Sequence, residues 1–487
     1  MYTHERMIVP PNTDLVVVGA GGTGLCAALT AAESGVRVVV FEKQPTPGGS
    51  SNFAEGMFGV ETDMQRESYV GITRDLAFRM MMEYNHWCAN PRLVRAFVDE
   101  SAATVNWLQN QGVEFEGPTA IWPDSLRTWH LLKGPSKARG SVMIRTLVAR
   151  SIEKKVGFQF SMPITGLIMD RNRVTGVVAG KDGKTKEIKA GAVIIGTGGY
   201  ANNKEWIREY TGFELGENLF PMGNVNKTGD GIRMAWDVGA AREGMGLLQL
   251  AGIGKGTKGV SHVEAARTQP NLFVNSQGVR YCDESIEMNF TFGGNAMARL
   301  REKCSYSMFD EAIKRDMVER GITIGVGMAV PPGTRLTKLD EELKLTLSKN
   351  ESNVFAADSI EELARKLSIS RSVLAATVRE YNKYCEKGRD ELFAKDRRYL
   401  HPLRKPPFYA VKSVVGCIST LGGIKINHKM EVLDTKGKPI PGLYAGGNDS
   451  GGLYGDSYDV YAAGGTLGFA LTSGRVAGRN ALKYIKG

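Results

Sequence analysis

Several things are missing from this chain of 487 residues, and each absence narrows what it can be. No apolar run is long enough to span a bilayer. The opening residues, MYTHERMIVPPNTD, carry no apolar signal-peptide core, so the expected location is cytoplasmic. Cysteine is sparse: Cys26, Cys88, Cys282, Cys304, Cys385 and Cys417 are scattered without C-x-x-C spacing. That argues against a disulfide framework, a zinc or iron–sulfur site, a C-x-x-C-H haem site and a dithiol pair close in sequence, and no metal is expected. The net charge of +10 raises the question of nucleic acid or an anionic partner. No long basic block and no interleaving of basic with aromatic residues accompanies it, so the charge reads as a solvated basic surface. Internal repeats and low-complexity segments are absent too. The length allows two or three domains and a large core.

What is present starts at Leu15. Four apolar residues, LVVV, read as a short buried strand, and Gly19, Gly21 and Gly24 follow in G-x-G-x-x-G spacing. A helix is expected from about Thr23 to Ser34, stopped by Gly35, and Val36–Phe41 reads as a second buried strand. Glu42 and Lys43 close that strand, with Glu42 placed 18 residues after Gly24. Gly19 allows the tight turn, Gly21 lets a pyrophosphate approach the backbone, and Gly24 lets helix and strand pack closely. The helix N-terminus, at Gly22 and Thr23, offers unpaired amides to phosphate, and Glu42 can accept from a ribose. Strand, turn, helix, strand and acid in this order specify a dinucleotide site far better than the glycines alone.

The stretch Gln44–Val60 is rich in small residues, among them Gly48, Gly49, Ser50, Ser51 and Gly56 beside Met57. Small side chains there let a planar group lie against the backbone. Residues 66–112 read as helical, with an apolar stripe through Leu93, Val94, Phe97, Val98, Val105 and Leu108. Trp122, Trp129 and His130 are candidates for a pocket wall, and packing is the plainer role for the histidine. A helix over Ser141–Lys154 leads to strands at Thr165–Met169 and Val174–Ala179, a turn at KDGK, and a buried strand Ala192–Gly196 that ends in Thr197, Gly198 and Gly199. Asp230, in TGDG, opens a further helix, where it either serves a cofactor or caps the helix. Residues 246–418 change character, with charged helices at 338–347, 359–368 and 370–387 between loops such as AVPPGTR. A last helix is expected from Thr466 to about Lys483.

Taken together, GAGGTG…EK, GTGG, TGDG, FVNSQGVRYCDE, TLGGIKI, PGLYAGG and AGGTLGFALTSGRVAG resemble the FAD-binding flavoprotein family. That family holds soluble fumarate reductase, urocanate reductase and the 3-ketosteroid dehydrogenases. The resemblance covers nearly the whole chain. It implies an α/β protein: a Rossmann-like FAD-binding domain of the two-dinucleotide-binding-domain type, residues 1–245 and 419–487, with an inserted α+β capping domain, residues 246–418. It implies hydride transfer between flavin N5 and a carbon–carbon bond beside an electron-withdrawing group. Gly447 and Asn448 fall in the implied FAD site. Thr466 and Leu467 fall where helix amides would stabilise negative charge on the reduced flavin. The loop GGSSNF holds no histidine, so FAD is expected to be bound non-covalently.

The residues that hold and protonate a dicarboxylate in the fumarate reductases are replaced. Tyr461 stands at the carboxylate-binding arginine position, Ser419 and Ala251 at histidine positions, and Met288 at the proton-donating arginine. Glu264 and Arg267 match the proton-relay pair. The chemistry still needs a donor for the oxygen that gathers charge and a carrier for the proton. Tyr461 is the first candidate, then Tyr458, with Tyr454 behind them. Ser419 is a candidate donor to a carbonyl. Arg267 either binds an acid, relays protons or only braces Glu264. The expected activity is an ene-reductase or dehydrogenase for a carbonyl compound other than fumarate, working with an unidentified electron donor or acceptor. Two alternatives stand beside it: reduction of an enoate anchored by Arg267 or Arg139, and a flavin-bearing electron-transfer or binding subunit.

Overall fold

A computed structural model of the chain describes residues 12–121, 125–135, 138–181, 183–254, 261–326, 330–348 and 353–487. Trp122, Asp182 of the KDGK turn and Ala329 of AVPPGTR lie outside these residues. The chain divides into two compact units: residues through Gly212 with Pro221–Gln249 and Ile418–Gly487, and Phe213–Phe220 with Leu250–Cys417. No helix among the described residues is long and apolar enough to cross a membrane.

The first unit is built on an eight-stranded sheet. Five of its strands are parallel neighbours, in the order Pro439–Ala445, Lys184–Ile195, Asn12–Val18, Val38–Phe41 and Gly157–Gln159. Register is set by apolar residues: Leu15 lies beside Val38 on one side and Ala192 on the other, and Val18 beside Phe41 and Ile195. A strand covered on both faces reads as a continuous apolar run, which is why LVVV is legible as a strand. The meander Ile164–Asp170 and Arg173–Lys181 extends the sheet antiparallel.

Helix Gly22–Ala32 leaves the first strand and packs against the C-terminal helix Gly465–Lys486. Their approach is close because of glycine. A Cβ on Gly474 would stand 2.2 Å from the Thr23 carbonyl oxygen, and one on Gly478 would stand 2.5 Å from that of Ala27. Two glycines four apart put a flat strip on one helix face, so backbone meets backbone. Leu25, Leu29, Leu147, Val148, Leu467 and Leu471 fill the core around this pair.

The expected helix over 66–112 is three helices instead: Asp63–Glu67, Arg74–Tyr84 and Pro91–Asn110. The breaks have local causes. Thr73 and Asn90 accept from amides of the following turn as N-caps, and Pro91 occupies the first helical position, where its missing N–H costs nothing.

In the second unit, strand Cys304–Asp310 pairs antiparallel with Phe408–Thr420 and with Leu272–Asn275. Helices Ile360–Lys366 and Arg371–Lys387 cover one core, where Leu272, Met308, Leu363, Leu374, Tyr381 and Ala410 pack together. A second core gathers Val263, Phe309, Met317, Leu339 and Val411.

Candidate active site

The turn after the first strand is held by its glycines and by Glu42. Gly19 has φ +104°, and a Cβ there would stand 2.3 Å from the Gly196 carbonyl oxygen. A Cβ on Gly24 would stand 1.8 Å from the Gly19 oxygen. Glu42 sits at the end of the second strand, where Oε2 accepts from the Ala20 amide at 2.8 Å and Oε1 from the Gln44 amide at 2.8 Å. It therefore braces the turn while each oxygen keeps a further lone pair for a ribose. Lys43 turns aside, with Nζ 2.6 Å from Asp230 and 2.9 Å from Thr228 Oγ1.

The loop from Gly48 runs alongside. The Gly48 amide donates to the Ala20 carbonyl at 2.8 Å, and Ser51 Oγ accepts from the Gly22 amide at 3.1 Å. Ser50 Oγ donates to the Gly223 carbonyl at 2.6 Å. Gly56 and Met57 are buried in a short strand beside Trp129–Leu132. Around Gly21 a Cβ would meet nothing closer than the Gly48 oxygen at 3.8 Å, and Gly49 faces open space. This is a cradle that side chains would fill, beside a helix N-terminus whose cap residue, Gly21, has no side chain. It fits a pyrophosphate. Thr23 does not face it: a Cβ on Gly447 would stand 2.3 Å from its Oγ1, so Thr23 lies inside the helix crossing.

Thr197, Gly198 and Gly199 are organised by a residue the sequence reading missed. Asp449 is fully buried, and its carboxylate accepts from the Thr197 and Gly198 amides, from the Gly199 amide at 2.9 Å and from Thr197 Oγ1 at 2.8 Å. Gly198 and Gly199 both have positive φ, which turns consecutive amides to one side and makes an anion nest. The available signal was an acid directly after the GGN of the last strand. The Gly447 amide donates to Ser473 Oγ at 2.9 Å, and Asn448 Nδ2 donates to Ser419 Oγ at 2.5 Å. Ser419 in turn donates to the Thr420 carbonyl at 3.1 Å.

The tyrosines gather at the start of the C-terminal helix. Gly464 is left-handed there, with φ +79°, and opens the helix. The Tyr458 hydroxyl is held by the backbone at Gly465 and Thr466 and by the Thr466 side chain. The Tyr454 ring lies 5.4 Å from that of Tyr458, and its hydroxyl would be 2.7 Å from a Cβ on Gly465. That hydroxyl is buried without a hydrogen-bond partner among the described residues. Burial pushes Tyr458 up to about 12 and Tyr454 well above the usual phenol range, so both stay neutral donors. Asp459, also unforeseen, is fully buried. Its Oδ1 accepts from the Tyr461 and Ala462 amides, while Oδ2 has no partner among the described residues. Burial pushes its carboxyl up to about 7. Tyr461 differs from the other two: its ring lies edge-on to Tyr84 at 5.5 Å, and it is 36% exposed.

His130 is a packed residue. Its Nε2 lies 2.7 Å from Thr62 Oγ1 and Nδ1 lies 3.0 Å from the Thr128 carbonyl, and burial lowers it to about 4. In the second unit Arg267 and Glu264 are both buried and joined, Nη2 to Oε1, at 2.8 Å.

The model of the family described as FAD binding domain matches residues 14–465. The chain belongs to this family. A vinyl phenol reductase of Lactiplantibacillus plantarum is 36% identical over 97% of this chain and 96% of its own length. A fumarate reductase (cytochrome) of Shewanella frigidimarina is 27% identical over 98% of this chain and 78% of its own. The fold matches that of the 3-ketosteroid-Δ4-(5α)-dehydrogenase from Rhodococcus jostii at a TM-score of 0.77 and 23% identity, covering 97% of both chains. The cofactor is FAD, and the protein is a FAD-dependent oxidoreductase acting on C=C groups. The expected fold class is the one observed.

Proposed function

We propose that this chain is an ene-reductase for a neutral conjugated alkene that carries an oxygen in conjugation with the double bond: an α,β-unsaturated carbonyl compound or a 4-vinylphenol. The observation that carries the reading is a reactive end made of Tyr454, Tyr458 and Tyr461, with Thr466 and without an arginine or histidine among them. Similarity to a vinyl phenol reductase supports it and extends the expected carbonyl substrate to the phenol.

Both substrates ask the same two things of the protein. One is a hydroxyl at the oxygen where charge gathers. The other is an acid at a carbon. In an enone, hydride adds at the β-carbon, the oxygen takes up enolate charge, and the α-carbon is protonated. In a 4-vinylphenol, loss of the phenol proton and protonation of the terminal carbon give a quinone methide, whose benzylic carbon accepts hydride to give a phenolate, and the oxygen then takes back a proton to restore the phenol. Bound FAD supplies that hydride from N5. Tyr461, the exposed member of the three, donates to the substrate oxygen. Tyr458 and Tyr454 are the wall behind it, and the neutral donor at Tyr458 keeps the first turn of the helix bonded. Ser419 positions Asn448 and spends its own proton on Thr420. The loop Gly48–Phe53 leaves FAD non-covalently bound, and the unit of Phe213–Phe220 with Leu250–Cys417 serves as the substrate domain.

An enoate reading loses support because its two candidate anchors are engaged. Arg139 pairs with Glu116 at 2.8 Å, and Arg267 donates to Glu264, Gly252 and Ser413. The test is anaerobic photoreduction of the purified flavoprotein, then addition of 4-vinylphenol, an enone or fumarate. The first or second reoxidises the flavin rapidly and fumarate does not. Rapid reoxidation by fumarate alone would overturn the reading.

A further inference from the structure

A hydroxyl stabilises charge on a substrate oxygen only when it is held in place before the reaction. The backbone at Tyr461 is held. Its amide donates to Asp459 Oδ1 at 2.8 Å, and Thr128 Oγ1 donates to its carbonyl at 3.4 Å. The side chain is 36% exposed, so its orientation needs a cause of its own. Its ring meets the ring of Tyr84, with centroids 5.5 Å apart and planes at 79°. An edge-to-face contact of this kind favours one tilt of each ring.

Tyr84 is the last residue of helix Arg74–Tyr84, and the chain beyond it is tied to the segment that carries the three tyrosines. Asn85 is fully buried. Its Nδ2 donates to the Met81 carbonyl at 2.9 Å, and its Oδ1 accepts from the Gly455 amide at 2.7 Å. One side chain thus joins the helix end to the tyrosine segment. Further on, the Asn90 amide donates to the Gly452 carbonyl at 2.7 Å. Between these two ties His86 and Trp87 are both left-handed, with φ 49° and 60°. Neighbouring residues with side chains keep so strained a conformation only where their surroundings impose it. Here the loop is pressed against the tyrosine segment. A Cβ on Gly455 would stand 2.7 Å from Cys88 Cβ and 2.8 Å from the Ala89 nitrogen. His86 Nδ1 lies 2.5 Å from Asp456 Oδ2. All of these residues belong to the first unit.

We propose that Tyr84 is a positioning residue for the reduction. Its ring holds the Tyr461 ring at the angle that brings the Tyr461 hydroxyl to the substrate oxygen. Tyr84 acts through its ring and makes no bond to the substrate. The buried Asn85 and the strained pair after it keep that ring beside Tyr461. This role rests on the ene-reductase reading and on Tyr461 as the donor in it.

The test is a double-mutant cycle in the holoenzyme, read as the rate of flavin reoxidation by 4-vinylphenol and by an enone at saturating concentration. Tyr84→Leu keeps an apolar side chain and removes the ring. It slows reoxidation about tenfold, the order of effect that one ring contact supplies, while flavin content stays that of the wild type. Tyr84→Phe keeps the ring and runs at the wild-type rate. In a Tyr461→Phe background, Tyr84→Leu costs nothing further, because the hydroxyl that it positions is gone. A merely structural role for Tyr84 would slow both backgrounds alike. Tyr84→Leu at the wild-type rate, Tyr84→Phe as slow as Tyr84→Leu, or losses that multiply in the double variant would each overturn the proposal. Tyr461→Phe at the wild-type rate, or a wild type inert to every alkene, overturns the reading beneath it, and the role of Tyr84 falls with that reading.

Discussion

The nucleotide end of the first unit and the interior of the second solve the same problem, holding distant segments in place, by opposite means. Around Gly19–Gly24 and Thr197–Gly199 the work is done by backbone: left-handed glycines, amides turned outward, and two carboxylates, Glu42 and Asp449, that accept from them. In the second unit side chains do it. Arg280, Glu284, Asp390 and Lys395 form a buried ionic cluster, with Arg280 bonded to Glu284 at 2.8 Å and to Asp390 at 2.8 Å, and Lys395 to Glu284 at 3.0 Å. A backbone device tolerates no added atom. An ionic one fails when a single partner leaves its neighbours charged and unpaired.

Three substitutions probe that contrast. The largest effect is expected from Gly24→Ala, whose Cβ would press on the Gly19 carbonyl oxygen at 1.8 Å. Neither atom belongs to a flexible side chain, so the turn itself is displaced. The variant should purify without flavin, or not fold, as read by the flavin absorbance per chain. A full complement of FAD would show that the turn is not held as described. Glu284→Ala comes next. It strands Arg280 and Lys395 and should cost about 3–5 kcal/mol in denaturant unfolding. A loss below about 1 kcal/mol would mean that the cluster is hydrated and the contrast is false. The smallest change is Tyr461→Phe, which should leave stability and flavin content intact and slow turnover about 100-fold. Unchanged turnover would move the hydroxyl's role to Tyr458 or Tyr454.

The same contrast explains what the sequence made legible. Gly19, Gly21 and Gly24 are readable because a backbone requirement leaves glycine as its trace, at fixed spacing. Gly474 and Gly478 were visible as part of a motif, but their reason, the approach of Thr23 and Ala27 on another helix, needs the fold. Arg280 and Glu284 are four apart and hint at a pair, whereas Asp390 arrives from 110 residues away. Asp449 is hidden in the same way, reaching Thr197 across 252 residues. Asp459 carries no pattern at all, because burial is what sets it apart. The break at Asn90–Pro91 was legible in principle: a capping residue before proline outweighs a continuing apolar stripe.

The central claim is the proposed one: that the neutral end of Tyr454, Tyr458 and Tyr461 serves a neutral conjugated alkene and not a dicarboxylate. Reoxidation of the photoreduced flavin tests it most directly, with 4-vinylphenol, an enone and fumarate compared at equal concentration in one stopped-flow series. The account predicts that at least one of the first two reoxidises the flavin at least about 100-fold faster than fumarate, the order of effect expected when a charged substrate loses its partner. Fumarate reacting as fast as either would contradict it.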